Sequence, residues 1–214
     1  IMKLLSISIA LFWFATLSFA GNPAYEKAMQ QAIDQLNQAG SPEAYQAVAN
    51  QFQRIAQVEQ EEWLPRYYAS YAYIIQGAMS DEGEQKDQHL DQAQEYLDQA
   101  KQMMPEESEV VTLQGYIHMI RVTVDPATRG PEMAPLATQT LAKAVQMNPD
   151  NPRALLLLGQ MQYGTAQFFG SDTSEACALI SQSVTKFEQV EAAPSLYPTW
   201  GENSATASQK ACDQ

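Results

Sequence analysis

Histidine, cysteine and positive charge are all scarce in this sequence. His89, His118, Cys177 and Cys212 are the only histidines and cysteines in 214 residues. Neither histidine has another histidine or cysteine three or four positions away, and no CxxC occurs, so the common spacings of a metal site are missing. Twelve Lys and Arg stand against 25 Asp and Glu, a formal net charge of −13. Without a basic stripe to displace counterions, nucleic acid and anionic membrane surfaces are poor partners. No GxSxG, no HExxH and no phosphate-cradling glycine loop is present. Carboxylates such as Glu59, Glu61, Glu62, Asp81, Glu82 and Glu84 sit in polar clusters that water solvates, so nothing marks a catalytic acid. The expectation is a non-enzymatic chain without a cofactor. Past the first twenty residues, no apolar run is long enough to cross a bilayer.

Those first residues form a secretory signal by pattern. Lys3 is the short positive region, Leu4 to Phe19 the apolar one, and Ser18-Phe19-Ala20 places small residues where a signal peptidase cuts. The domain assignment is therefore a signal at 1–20 and one helical domain at 21–214, with a tail at 192–214. A retained N-terminal anchor is the competing reading; with cleavage, no stable membrane insertion remains. Export to the periplasm or beyond brings the two cysteines into an oxidising space, where a Cys177–Cys212 disulfide is the natural expectation. Two separate thiols are the alternative.

Helical periodicity runs through the rest. Tyr25, Ala28, Met29, Ala32, Ile33 and Leu36 recur at steps of three and four, and Gly40 stops that helix. Ser41-Pro42 opens the next as N-cap and first helical residue, with Tyr45, Val48, Phe52, Ile55 and Ala56 on its stripe. Further helices are predicted near 62–79, 86–104, 107–123, 132–147, 152–165 and 173–191. Asn151 is placed to cap one of them, and Asp172 with Glu175 has the pattern of a capping box on the last.

A repeat underlies the alternation. Ala93, Leu97, Ala100 and Pro105 share their intervals with Ala137, Leu141, Ala144 and Pro149, and Gly115 and Gly159 each follow their proline by ten residues. Val48, Phe52, Ile55, Gln60 and Ser70 keep the register more loosely, giving units 44 or 45 residues apart. Small residues let neighbouring helices approach, the larger one between them fills the groove, and proline ends the helix.

On these residues the chain resembles the tetratricopeptide repeat (TPR) family, whose signature includes Leu-Gly on one helix, here Leu158-Gly159, and Ala–Leu–Ala with a closing proline on the next. The period is about ten residues longer than usual, and Val111 and Leu155 stand where a tryptophan is expected. The segments Trp63-Leu64-Pro65, Val124-Asp125-Pro126, Gln167-Phe168-Phe169-Gly170 and Pro198-Thr199-Trp200-Gly201 also make it similar to exported TPR proteins of Gram-negative bacteria that carry no established activity. The resemblance implies an all-α, right-handed superhelix of about four antiparallel hairpins with a concave groove.

Such a groove binds a peptide or protein partner, and Tyr67, Tyr71 and Arg66 in the aromatic-rich stretch from Trp63 to Ile75 are its candidate lining. The alternative for these tyrosines is core packing. Residues Asp125 to Pro131 read as a rigid loop between helices, presenting Arg129 to a partner or closing on itself through Asp125. Phe168-Phe169 either seeks a partner or packs under the tail bearing Trp200. His118-Met119 raises a copper site, yet the methionines at 103, 119, 147 and 161 fall on helical stripes, where Met fills gaps. A partner-binding scaffold is the reading; a structural subunit of an envelope assembly and a metal or small-ligand carrier are its rivals.

Overall fold

The computed structural model describes residues 22–189 and 196–213, so the signal expected at 1–20 lies outside the described residues. Nine helices and no strand occur among them. They are α1 (Pro23–Gln38), α2 (Pro42–Val58), α3 (Leu64–Met79), α4 (Gly83–Met103), α5 (Ser108–Val122), α6 (Pro126–Met147), α7 (Pro152–Phe169), α8 (Ser174–Gln189) and α9 (Glu202–Cys212). Helices α1 to α8 form four antiparallel hairpins. Because α3 also touches α5, and α5 touches α7, the first helices of successive hairpins share one inner face.

The ends of these helices follow from their caps. Asn22 accepts from the Ala24 and Tyr25 amides, Ser41 from Ala44, and Asn151 from Arg153 and Ala154, each just ahead of a first-turn proline. Asp172 accepts from the amide and hydroxyl of Ser174 at the head of α8.

Two segments differ from expectation. The stretch 125–131 is not a loop: Asp125 accepts from the Thr128 amide, Pro126 takes the first helical position, and α6 begins there. Pro131 and Pro135 are inside the helix. Each leaves the carbonyl four residues earlier without its donor, which is tolerated because Ala127 and Pro131 are exposed to solvent. In the tail, an eleven-residue helix, α9, lies where no helix was expected. Its sequence, ENSATASQKAC, is too polar to carry an apolar stripe, and Ala205 alone is buried.

The repeat has the packing role its spacing implies. A Cβ on Gly115 would lie 2.5 Å from Leu141 Cγ, and one on Gly159 2.7 Å from Ile180 Cγ1, so each glycine lets the middle residue of the partner helix lie against bare backbone. Ala176, Ile180 and Ser183 continue the small–large–small rule on α8, all buried. Ser183 Oγ donates to the Pro152 carbonyl and Ser108 Oγ to that of Ala144. The first unit carries Ser70 in place of glycine, fully buried.

Cys177 on α8 and Cys212 on α9 form a disulfide across a separation of 35 residues. Closing a loop of that length restricts the unfolded chain by about 3–4 kcal/mol in the chain-entropy account. It ties a helix with little apolar surface of its own to the last hairpin.

Gly115→Ala is expected to destabilise by about 1–3 kcal/mol through overpacking against Leu141. The readout is the urea midpoint, with helical circular dichroism retained. An unchanged midpoint would mean that α5 and α6 separate freely.

Candidate functional site

Along α3, Tyr67 and Tyr71 are one turn apart and meet Trp200, while Tyr73 is buried towards α2, where Gln46 and Gln53 donate to its hydroxyl. The repeat register places Tyr116 of α5 45 residues after Tyr71. Both rings lie beneath one indole. Trp200 stacks on Tyr71 at 4.6 Å between centroids and near-parallel to Tyr116 at 6.1 Å. Tyr45 of α2 completes the set. Burial pushes the Tyr116 phenol up to about 12, with the Tyr45 phenol adding to it. Tyr71 is raised well above the usual range by burial, then by Tyr116 and Tyr45. The three phenols are therefore neutral at ordinary pH. Tyr45, Tyr71, Tyr116 and Trp200 are partly buried against one hydrophobic core, and half-buried Met119 packs with Tyr116 and Trp200 against the next.

The indole is held by a buried polar network. Trp200 Nε1 donates to Tyr67 Oη at 2.9 Å, and Tyr67 Oη donates to Glu109 Oε2 at 2.7 Å. Arg153 Nε donates to Glu109 Oε1 at 2.8 Å, with both side chains almost wholly buried. Arg153 also lies over the rings of Phe187 and Trp200. Burial works against the guanidinium charge, yet Glu109 and Tyr67 hold its pKa above its usual value. Gly201, at φ 111°, makes the sharp turn into α9, and a Cβ there would lie 2.9 Å from Phe187. Nearer α3, Tyr68 Oη donates to the Leu196 carbonyl, and Tyr197 packs edge-on to Trp63. Residues 196–201 thus lie on the inner face, across α3, α5 and α7.

The residues expected to line a groove lie in different settings. Tyr67 is fully buried and belongs to the core, because its hydroxyl bridges Trp200 and Glu109. Tyr71 is half-buried under Trp200. Arg66 is turned onto backbone, donating to the carbonyls of Ala56, Glu59 and Glu62 at the end of α2. Arg129 is spent on Asp87, with two bonds of 2.7 and 2.6 Å, and does not close onto Asp125. Phe168 and Phe169 do not pack under the tail; they are 78% and 74% exposed at the end of α7. Tyr116, Trp200, Glu109, Arg153 and Tyr45 were not among the expected site residues. The 45-residue register pointed to Tyr116, whereas nothing local pointed to the tail's seat.

Histidines are apart from this surface. His89 stacks on Tyr73, and His118 contacts Gln114 through Nε2, two residues along α5 from Tyr116 and so on the helix's other side. Burial lowers the pKa of both. Among the described residues, no group of three or more His, Cys, Asp or Glu converges to hold a metal ion. Two open cavities lie elsewhere. One of about 570 Å³ includes Lys101, Val110, Val111 and Lys143; one of about 530 Å³ includes Gln53, Arg66 and Tyr96.

No protein-family profile and no curated protein matches this sequence. Among solved structures, the chain is similar to the HusA haemophore from Porphyromonas gingivalis, 28% identical with a TM-score of 0.81, across 89% of this chain and 93% of that one. It shares the fold of a thermophilic TPR protein of Thermus thermophilus, at 15% identity and a TM-score of 0.60 over 88% and 89% of the two chains. The fold is a TPR-like helical repeat, as the Ala–Leu–Ala units implied.

Two outcomes follow from these ion pairs. Glu109→Gln leaves the Arg153 charge buried without its counter-ion and is expected to cost about 3–5 kcal/mol in urea unfolding, whereas Glu109→Leu combined with Arg153→Met costs less than either single change. Equal losses for single and double variants would argue against a coupled pair. Asp87 titrates below the usual carboxylate range, chiefly through the Arg129 hydrogen bond. Its depressed folded pKa makes its contribution present above about pH 4 and lost as acid protonates it in the fold. The stability gap between wild type and Asp87→Asn is therefore expected at neutral pH and to close on acidification.

Proposed function

We propose that this chain is an exported carrier of a flat aromatic macrocycle of the haem and porphyrin class, held on the inner face of the repeat. The observation that carries the reading is the Tyr45–Tyr71–Tyr116 surface under Trp200, in a chain alike over nearly its whole length to a haemophore. Stacking on neutral aromatic rings suits a broad planar ligand, and the phenol hydroxyls offer it hydrogen bonds. On this reading Tyr45, Tyr71 and Tyr116 contribute aromatic contact and neutral hydroxyls, while His89 and His118 face other neighbours. Export is supported by the signal pattern at 1–20 and by the Cys177–Cys212 bridge, which an oxidising compartment maintains.

A protein partner is the second reading, and Phe168 with Phe169 favours it. Two large apolar side chains left in water at a helix end are a contact point for another surface. On this reading the partner meets the end of α7, and the inner face is left to the cargo.

Titration of the purified protein with haemin, followed in the Soret band, is expected to show saturable one-site binding. Tyr116→Ala is expected to weaken it about tenfold with helicity intact. Absence of any saturable spectral change in wild type would overturn the carrier reading.

A further inference from the structure

We infer that the C-terminal tail completes the cargo site, with Trp200 as a ligand-contacting wall and Arg153 as the residue that positions it; this rests on the carrier reading. In a TPR-like stack the inner face is an open trough, and here residues 196–201 of the same chain lie along it. Their seat is built. Tyr68 holds the Leu196 carbonyl at 3.1 Å, Pro198 is buried, and Tyr67 accepts the indole N–H at 2.9 Å. Arg153 donates to the Trp200 carbonyl, and its guanidinium carbon lies 5.8 Å from the ring centroid. Gly201 turns the chain sharply away, and α9 is then fixed by Gln160 to Ser204 and Ser208 and by the disulfide.

A segment anchored at so many points is not a displaceable plug. Its effect is to occupy the inner face over Tyr71 and Tyr116 and to bring the indole onto that face. The N–H of the indole is already satisfied inward and Tyr71 stacks on its ring, so what half-buried Trp200 offers a ligand is the part of the ring these contacts leave exposed. An exposed aromatic ring with no free polar atom suits a planar apolar cargo.

The experiment compares wild type with Trp200→Leu, Trp200→Phe and Gly201→Ala, using metal-free protoporphyrin IX so that iron ligation plays no part. Trp200→Leu removes the π face, and Gly201→Ala keeps the indole but forces it off its seat. Both are expected to bind about tenfold more weakly and to lose the induced Soret circular dichroism, while Trp200→Phe stays within about threefold. Helical circular dichroism checks each fold, and if the leucine variant unfolds, the contrast between Gly201→Ala and Trp200→Phe decides. Wild-type affinity and an unchanged induced signal in the folded variants would overturn the tail's role while leaving the carrier reading in place. A wild type that takes up neither protoporphyrin IX nor haemin would overturn both.

Discussion

The inner face of this molecule depends on one buried ion pair. Glu109 at the start of α5 and Arg153 at the start of α7 meet where almost no water reaches, each from the first turn of its hairpin. Desolvating two charges is costly, and their attraction offsets that cost only when the remaining donors and acceptors are also filled. Tyr67 fills the second carboxylate oxygen, and its own hydroxyl then accepts from Trp200. Three successive hairpins and the tail are thereby joined through a few polar atoms. An apolar cluster of equal volume would hold the helices together, but it would not dictate where the indole lies.

The same pair explains how residues 196–213 are seated although the sequence of α9 is weakly amphipathic. Helix α9 brings almost no apolar area to the fold, and hydrophobic burial alone would not seat it. Its position is set by directional bonds at one end, through Trp200 and Gly201, and by a covalent bond at the other, through Cys212. A TPR-like stack needs a polar cap on its last hairpin to remain soluble. Here the cap also returns a tryptophan to the inner face, so one segment both closes the array and shapes the surface that the array presents.

Similarity to a haemophore and similarity to a TPR protein are not in conflict. A helical repeat is a scaffold on which different sites are built, and the fold alone does not choose among them. The choice lies in a few side chains. Tyr71 and Tyr116 occupy equivalent positions in consecutive units, so the repeat itself multiplies an aromatic surface. Arg66, a groove-lining candidate, and Arg129, a candidate contact for a partner, both make internal contacts.

The sequence by itself determined the helices, their hairpin pairing and their closest contacts, because these obey short-range rules. Periodicity marks which side of a helix is buried, a Ser or Asn before proline marks where it begins, and glycine opposite leucine marks where two helices touch. The 125–131 segment departs from its local pattern for a related reason: its prolines suggest a loop, yet they are tolerated in α6 because the residues whose carbonyls they deprive are exposed to solvent. Only the tertiary structure decided the site. Trp200 and Tyr67 are 133 residues apart, and Glu109 and Arg153 44 apart, so no local pattern connects them. Whether a tyrosine lines a groove or sits in the core depends on what is laid over it. In this protein, the tail from beyond the last hairpin covers Tyr67 and stacks on Tyr71.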